Sequence, residues 1–363
     1  MGEKGDLVKI GLLKETKKNE GRVALTPENI GALVRTGHRV CVQKGAGELS
    51  SFADSQYKKA GARLLHSSKE IILQSDLLLK VKEPTMEELE WMRPGQMIFC
   101  YLHLAAFPRL TQKILRKKII ALGYETLQAP DGHLPLLIPM SQIAGRLATQ
   151  NGAHLLRIDQ GGRGVLMGGT DKVPGATVVI LGAGVVGENA AQMAMGLGAT
   201  VHILDVFEKR LQNLKRKYGD RLHVHPSTSR WRAKLVPIAD LLIGAVLIPG
   251  AKAPKLVSKT LVKKMKKGSV IIDVAVDQGG CIETSEVTSH ENPAVVKHGV
   301  LHYGVPNIPA VVPLTSTLAL STETFPYVLR IAHYGLVDAC KRWPELKGAI
   351  NCYEGKIIHP ALL

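Results

Sequence analysis

A glycine-rich turn near the middle of the chain has the residue types and spacing that bind a dinucleotide. A strand pattern over Thr177–Leu181 runs directly into the sequence GAGVVG at residues 182–187, and a helical pattern follows. Gly182 permits the tight turn, Gly184 has no side chain to hold off a pyrophosphate, and Gly187 lets the helix pack close to the strand. The N–H groups at the start of the helix can donate hydrogen bonds to phosphates. The turn therefore predicts a nucleotide site.

A carboxylate at the end of the next strand pattern indicates which nucleotide is bound. Asp205 occupies that position, where it can accept hydrogen bonds from ribose hydroxyls and repel a 2′-phosphate. We therefore expect NAD rather than NADP, although Lys209 and Arg210 nearby are compatible with NADP. Val185 and Val186, at the start of the helix, are also expected to contact the cofactor. Two other interpretations stay open: a glycine-rich turn without a ligand, and a methyltransferase-type nucleotide site.

Two later loops are expected to line the ligand site. One follows the strand pattern at 240–246 and contains Val246 and Leu247; the other follows the pattern at 269–274 and contains Asp277. The carboxyl ends of parallel strands face the ligand crevice in such folds. We expect Asp277 at a strand end, with its carboxylate in the crevice. The alternative is an aspartate that only caps its loop.

Three side chains in the N-terminal third are candidates for substrate chemistry. Arg22 can bind a carboxylate through two parallel hydrogen bonds. Lys82 and His103 each follow an apolar strand pattern, and the near-neutral pKa of histidine suits acid–base catalysis. Each also has a structural interpretation: a surface arginine before a helix, a solvated lysine paired with Glu83, and a core histidine with satisfied hydrogen bonds.

Strand and helix patterns alternate along most of the 363 residues, which predicts an α/β fold with parallel sheets. Thr26 is the expected N-cap of a helix that begins at Pro27. A turn-rich joint near residue 135 separates two domains. The first block has strand patterns at 7–13, 39–43, 76–81, 97–102 and 119–124. The second has them at 177–181, 200–205, 221–224, 240–246, 269–274 and 299–303, followed by a C-terminal helix at 316–334 that Pro326 interrupts.

Composition excludes several classes of protein. The formal net charge is +16, from 47 Lys and Arg against 31 Asp and Glu, but the basic stretches have few aromatic residues between them. A solvated surface is therefore favoured over a nucleic-acid site. The five cysteines form no CxxC and no zinc spacing with histidine, which favours reduced thiols in the cytoplasm. No leader segment, membrane span or metal site is expected.

The whole chain resembles the alanine dehydrogenase family, through motifs that occur in order. The family is related in part to the NAD-binding subunit of proton-translocating transhydrogenase. The motifs are EGRVALTP at 20–27, KVKEP at 80–84, YLHLAA at 101–106, PMS at 139–141, QGGRG at 160–164, GAKAPK at 250–255 and DQGGC at 277–281.

The resemblance implies two Rossmann-like domains with doubly wound parallel sheets and a cleft between them. Residues 1–135 and 314–363 would form the substrate domain, and residues 136–313 the NAD domain. The implied reaction is the reversible oxidative deamination of L-alanine to pyruvate and ammonium, with hydride transfer to NAD. The implied assembly is a homohexamer.

The resemblance also implies roles for individual residues. It assigns substrate contacts to Arg22 and Lys82, acid–base catalysis to His103, and assistance in proton transfer to Asp277. Ser141 and Asn307 are matched to positions that contact the nicotinamide end of the cofactor, although Ser141 could instead be a helix cap.

Some residues depart from the family pattern without removing a proposed catalytic group. Gly21 stands where a bulky residue is usual, and Gly304 and Pro306 precede Asn307 where Cys and Ala are usual. The second departure puts the affinity for the cofactor in question. Two other functions remain as alternatives. One is the soluble NAD(H)-binding subunit of a transhydrogenase, and the other is a basic binding protein that uses its Rossmann domain as a sensor.

Overall fold

The computed structural model describes residues 8–246 and 253–362, and the chain divides into two compact units. Unit 1 consists of Met1–Met140 and Ala310–Leu363, and unit 2 consists of Ser141–Pro309. The C-terminal segment thus lies in the same unit as the N-terminal part. The boundaries expected from the sequence, after residues 135 and 313, lie a few residues from the observed ones.

Unit 1 is built on an eight-stranded sheet in the order β15-β14-β6-β5-β4-β1-β2-β3. Its strands are β1 Lys9–Leu12, β2 Arg39–Gln43, β3 Arg63–Leu65, β4 Leu77–Leu79, β5 Met97–Cys100, β6 Ile120–Gly123, β14 Ile350–Tyr353 and β15 Lys356–Ile357. The first six are parallel in the order 3-2-1-4-5-6, which is the doubly wound arrangement. The last two extend the sheet beside β6 in antiparallel pairing.

Helices cover this sheet and begin where the sequence supplies caps. They are α1 Pro27–Arg35, α2 Asp54–Lys59, α3 Ser68–Gln74, α4 Met86–Trp91, α5 Pro108–Arg116, α11 Pro313–Arg342 and α12 Leu346–Ala349. Thr26 caps α1 through the N–H of Asn29, as predicted, and Pro27 takes the first helical position. Strand β4 is fully buried, as expected for a parallel strand with helices on both faces.

Unit 2 has a seven-stranded sheet in the order β12-β13-β11-β10-β7-β8-β9. Its strands are β7 Thr177–Leu181, β8 Thr200–Asp205, β9 Leu222–Pro226, β10 Leu241–Gly244, β11 Val270–Asp273, β12 Ala294–Lys297 and β13 Val300–Tyr303. All neighbours are parallel except β12 and β13. The parallel strands again follow the order 3-2-1-4-5-6. The helices are α7 Val185–Gly196, α8 Glu208–Tyr218, α9 Ser229–Leu235 and α10 Lys259–Val262, and α6 Ile138–Leu155 contains the boundary between the units.

The prediction that Pro326 interrupts the C-terminal helix is wrong. Helix α11 continues through Pro326, and the non-helical residue inside it is Gly335, with φ 70° and ψ 162°. Pro326 deprives the helix of one backbone hydrogen-bond donor. The helix continues because Thr324 and Val328, two residues on either side, are buried and hold it on the core. Glycine adopts a positive φ without a steric penalty, so the chain bends there.

Two further features concern the whole chain. All five cysteines are free thiols. Within the two described stretches, no helix combines the length and the apolar character that crossing a membrane requires.

Candidate functional site

The strand order defines one switch point in each unit, between β1 and β4 in unit 1 and between β7 and β10 in unit 2. Ligands of doubly wound sheets bind at the carboxyl ends of the strands beside this point. In unit 1 the segments after Leu12 and Leu79 start there, and in unit 2 those after Leu181 and Gly244. Most of the residues selected from the sequence lie on these segments or on the neighbouring ones.

Glu15 joins the two segments that leave the switch point of unit 1. Its Oε1 accepts the N–H of Val81 at 2.6 Å and the N–H of Lys82 at 3.2 Å. The side chain of Lys82 is half-buried. Burial lowers the pKa of Lys82, and the positive charge of Arg22 lowers it further. Lys82 and Arg22 therefore lie within electrostatic range of each other.

Arg22 is buried and oriented by a neighbouring carboxylate. Its Nε donates to Glu20 Oε1 at 2.7 Å, its Nη2 to Glu20 Oε2 at 2.5 Å, and its Nη1 contacts Met140 Sδ at 3.0 Å. Burial acts to lower the pKa of Arg22, but the hydrogen bonds and the charge of Glu20 outweigh burial and raise it. Of the two interpretations, the surface arginine is excluded, because the residue is 2% exposed.

His103 lies on an unusual backbone turn that a carboxylate supports. Its φ is 48°, in the left-handed region, and its N–H donates to Glu125 Oε1 at 2.7 Å. Glu125 also accepts the N–H of Leu102. The ring of His103 is exposed and lies parallel to the ring of Tyr101, whose hydroxyl donates to the carbonyl of Leu136. The interpretation of His103 as a core histidine is therefore wrong.

The glycine motif of unit 2 has the geometry that its spacing predicts. Gly182 has φ 100°, and a Cβ on Gly187 would lie 1.8 Å from the carbonyl oxygen of Gly182. A Cβ on Gly184, by contrast, would meet no atom within 4 Å. Helix α7 begins at Val185, and no side chain caps its first N–H groups. The motif thus packs tightly at its ends and leaves space for a ligand at its centre.

Asp205 is tied to this motif. Its Oδ2 accepts the N–H of Ala183 at 2.6 Å, and its Oδ1 accepts the N–H of Phe207 at 2.8 Å. Arg210 Nη1 lies 3.8 Å from Oδ2. Since each carboxylate oxygen has two lone pairs, both retain acceptor capacity for ribose hydroxyls. The strand-end carboxylate therefore also holds the glycine turn in place.

Asp277 lies on a 3₁₀ turn, Val276–Gln278, and not at a strand end as predicted. Strand β11 ends earlier, at Asp273, because the chain turns there. Asp273 is buried, which raises its pKa, and its Oδ2 accepts the N–H of Ile282 at 3.1 Å. Asp273 thus closes the loop that presents the exposed Asp277.

Three further candidates of unit 2 lie among the described residues, and a fourth does not. Ser141 is half-buried inside α6, so its interpretation as a helix cap is wrong. Asn307 is half-buried with φ 56°, and Val246 is half-buried after β10. Leu247 lies outside the described residues. Arg22, Lys82 and His103 belong to unit 1, and the other predicted site residues that the structure describes belong to unit 2.

Gly304 has a packing reason that the sequence did not reveal. A Cβ at this position would lie 2.0 Å from the carbonyl oxygen of Glu286. The N–H of Gly304 also donates to Thr288 Oγ1 at 3.1 Å. The loop that contains Glu286 thus approaches position 304 so closely that it leaves no space for a side chain there.

A surface cavity of about 720 Å³ lies at the other end of the sheet of unit 1. Lys9, Arg39 and Arg63, the first residues of β1, β2 and β3, are in its lining. It contains none of the predicted site residues, and it is far from the carboxyl strand ends where doubly wound folds bind ligands. We assign no part of the proposed chemistry to it.

Sequence reasoning missed the carboxylates that position the site. Glu15 and Glu125 each accept two backbone N–H groups, and Glu20 holds Arg22. A signal was available for two of them, because Glu15 and Glu125 closely follow the carboxyl ends of β1 and β6. Their partners are distant in sequence, and no local pattern identifies them.

Two doubly wound units, one of which carries an open glycine turn next to a strand-end carboxylate, define a protein of the Rossmann dinucleotide-binding class. Models of the alanine dehydrogenase/PNT N-terminal and C-terminal domains match residues 11–144 and 148–360. The chain therefore belongs to the alanine dehydrogenase/PNT family.

Known relatives agree with this membership. An alanine dehydrogenase of Methanococcus maripaludis is 50% identical over 354 residues, which cover 97% of this chain and 95% of the relative. A solved structure of an L-alanine dehydrogenase is 47% identical, with a TM-score of 0.94 and coverage of 98% of both chains. A transhydrogenase structure from Sinorhizobium meliloti is 26% identical, with a TM-score of 0.81, over 97% of this chain and 99% of its own. The similarity to the alanine dehydrogenases is thus the greater in both sequence and structure.

Proposed function

We propose that this protein is an NAD-dependent L-alanine dehydrogenase that converts L-alanine, NAD and water to pyruvate, ammonium, NADH and a proton, reversibly. The observation that carries the proposal is the grouping of Arg22 and Lys82 at the switch-point edge of unit 1, with His103 on a neighbouring strand end. Arg22 can bind the substrate carboxylate, Lys82 is a second cation, and His103 is an acid–base group. The reaction requires all three functions.

The residues of unit 2 fit NAD. The open space at Gly184, the uncapped start of α7 and the carboxylate of Asp205 match the pyrophosphate and the adenosine ribose of the dinucleotide. Ser141, Val185, Val186, Val246 and Asn307 are further proposed contacts, as is Leu247. NAD, when bound, supplies the acceptor for the hydride that leaves the Cα atom of alanine.

The substrate carboxylate is proposed to bind Arg22 and Lys82. Glu20 fixes the plane of the guanidinium group of Arg22, so that this group keeps one orientation. Burial and the charge of Arg22 lower the pKa of Lys82 and so disfavour its charged form. The negative charge of a bound substrate carboxylate would stabilise the ammonium group again. Fixed cations of this kind need little reorganisation when the substrate binds.

His103 is proposed to move the protons of the second half of the reaction. It takes a proton from the water that attacks the imine carbon and returns one to the departing ammonia. Asp277 is proposed to assist these transfers. An exposed ring on a backbone turn held by Glu125 allows His103 to exchange protons with water while its Cα position stays fixed.

The first test is absorbance at the NADH wavelength with purified protein, NAD and L-alanine at alkaline pH. We expect a rise with L-alanine, none with D-alanine and a weak one with NADP; L-serine and L-2-aminobutyrate define the breadth of the substrate pocket. Bound NAD without any alanine-dependent rise would contradict the proposal and favour a transhydrogenase-type subunit.

A variant pair tests the role of His103. His103→Ala should lose most of the turnover while binding of NAD persists. His133→Ala is the control, because His133 is exposed and pairs with Asp131. Turnover that survives in His103→Ala would reject the acid–base role.

We also propose a homohexamer, from the family resemblance, and a cytoplasmic location, from the cysteine pattern; the five free thiols are compatible with a reducing compartment. Light scattering coupled to size exclusion should give about six times the chain mass of 39.3 kDa. A monomeric mass would reject the hexamer without affecting the proposed reaction.

A further inference from the structure

Glu15 is a buried carboxyl group at the switch-point edge of unit 1. It follows β1 and is 8% exposed. Its Oε1 accepts the N–H groups of Val81 and Lys82, at 2.6 and 3.2 Å. Its Oε2 is buried and has no hydrogen-bond partner in the part of the chain that the structure describes. One oxygen of Glu15 therefore holds the Lys82 segment, whereas the other is shielded from water and gains no hydrogen bond from the described residues in return.

The charged groups around Glu15 leave it without a cation of its own. Lys80 is the positive charge that most lowers the pKa of Glu15, but its Nζ donates to both oxygens of Glu88, at 2.9 and 2.8 Å. Arg22 is bound by Glu20, whose negative charge also faces Glu15. Two further titratable groups in electrostatic range, Cys100 on β5 and Tyr124 after β6, are kept neutral by burial.

The protonation state of Glu15 is therefore sensitive to pH in a range where enzymes work. Burial raises the pKa of Glu15 from 4.5 to about 7, and the charge of Lys80 and the two N–H groups only partly oppose this. Glu20 and Glu88, by contrast, each have a directly bonded cation. Glu15 is therefore placed to titrate near neutrality.

We propose that Glu15 is a positioning residue whose ionised form holds the backbone of Lys82 in place for binding the substrate carboxylate, and whose protonated form releases it. The proposal rests on the alanine dehydrogenase reaction proposed above. An ionised carboxylate accepts N–H groups in shorter and stronger hydrogen bonds than a neutral carboxyl does. Protonation should therefore loosen the Val81–Lys82 backbone and displace the ammonium group of Lys82.

The kinetic test separates substrate binding from the acid–base step. In the wild type, KM for L-alanine should rise about threefold to tenfold as the pH falls from 8 to 6. Glu15→Gln keeps a neutral acceptor at this position, so its KM at pH 8 should resemble the wild-type value at pH 6 and stay constant between them. The affinity for NAD should be unchanged in the variant.

The matched control is Asp54→Asn. Asp54 also accepts a backbone N–H, that of Gly45 at 2.8 Å, but it lies in a different part of unit 1. This control should retain the wild-type dependence of KM on pH. The proposal is overturned if Glu15→Gln retains that dependence too, or if only kcat or the affinity for NAD changes.

Hydrogen exchange tests the linkage in the wild type itself, without a variant and without turnover. Protection of the Val81 and Lys82 amides, corrected for intrinsic exchange, should fall as the pH decreases from 8 to 6, whereas protection of the Gly45 amide stays constant. Equal behaviour of the two sites would overturn the proposal. If the wild type does not reduce NAD with alanine, the proposed function fails, and exchange still decides whether Glu15 controls the Lys82 segment.

Discussion

The carboxylate of Glu125 accepts the backbone N–H of His103 at 2.7 Å, across 22 positions of the sequence. His103 has a left-handed backbone conformation, which is unfavourable for a residue with a Cβ, and Glu125 also accepts the N–H of Leu102. The turn that presents the proposed acid–base group is therefore held by a residue on the next strand end. This relationship leads to the first prediction.

Glu125→Ala should lower kcat by roughly tenfold or more, because two backbone N–H groups lose their acceptor at a cost of about 1–3 kcal/mol. Glu125→Gln retains an acceptor oxygen for His103 and should lose much less activity. Steady-state kinetics of both variants provide the comparison. Glu125 would have no positioning role if the alanine variant turned over at the wild-type rate.

Arg22→Lys should raise KM for L-alanine by roughly tenfold or more, because an ammonium group cannot bind a carboxylate through a planar pair of N–H groups. The dissociation constant of NAD should stay within about twofold, since the glycine motif is unaltered. Alanine saturation curves and NAD titrations measure the two effects. Arg93→Lys, at an exposed arginine paired with Asp76, is the control and should leave both constants unchanged.

Arg22→Ala should have a different effect, on stability. Glu20 and Arg22 have side chains that are 1% and 2% exposed, so the variant removes the cation from a buried carboxylate. The expected loss of unfolding free energy is about 3–5 kcal/mol, measured by urea denaturation. A loss below about 1 kcal/mol would mean that the pair contributes nothing beyond a surface ion pair.

The two glycines Gly184 and Gly187 should respond to alanine in opposite ways. Gly187→Ala places a Cβ 1.8 Å from a carbonyl oxygen and should destabilise unit 2. Gly184→Ala meets no atom within 4 Å, so the protein should fold and melt almost normally and lose NAD affinity by roughly tenfold or more. Thermal melting and NAD titration distinguish the outcomes. Normal NAD affinity in Gly184→Ala would place the pyrophosphate elsewhere.

The raised pKa of Glu15 predicts a dependence of stability on pH. Between pH 4.5 and about 7 the folded protein keeps a proton on Glu15 that the unfolded chain releases, so the unfolding free energy falls as the pH rises and levels off above about 7. The expected contribution is about 3 kcal/mol, to order of magnitude.

Glu15→Gln isolates this contribution, because all other titrating groups are common to both proteins. The stability of the variant relative to the wild type should increase from pH 4.5 to 7.5. Urea denaturation at several pH values measures the difference. A constant difference would show that Glu15 titrates normally and would also weaken the proposed control of Lys82.

Local sequence determined most of the parallel strands and the nucleotide motif, although the short parallel strand β3 was not predicted. Strands Arg39–Gln43, Thr177–Leu181 and Thr200–Asp205 have the bounds that the patterns predicted. Such segments are identifiable because apolar residues and glycines act on their immediate neighbours. The cap at Thr26 belongs to the same group, since its hydrogen bond reaches only three residues along the chain.

Only the tertiary structure decided which groups surround the candidate catalytic residues. Strand β14 joins the sheet beside β6, and Glu15 reaches Val81 across 66 positions. Both contacts join residues that are far apart in the sequence, so no local pattern predicts them. The energy of the buried Glu15 carboxylate, in particular, depends on the neighbours that the whole fold assembles around it. The sequence by itself thus determined the nucleotide motif and its strand-end carboxylate, whereas folding determined how carboxylates hold Arg22, Lys82 and His103.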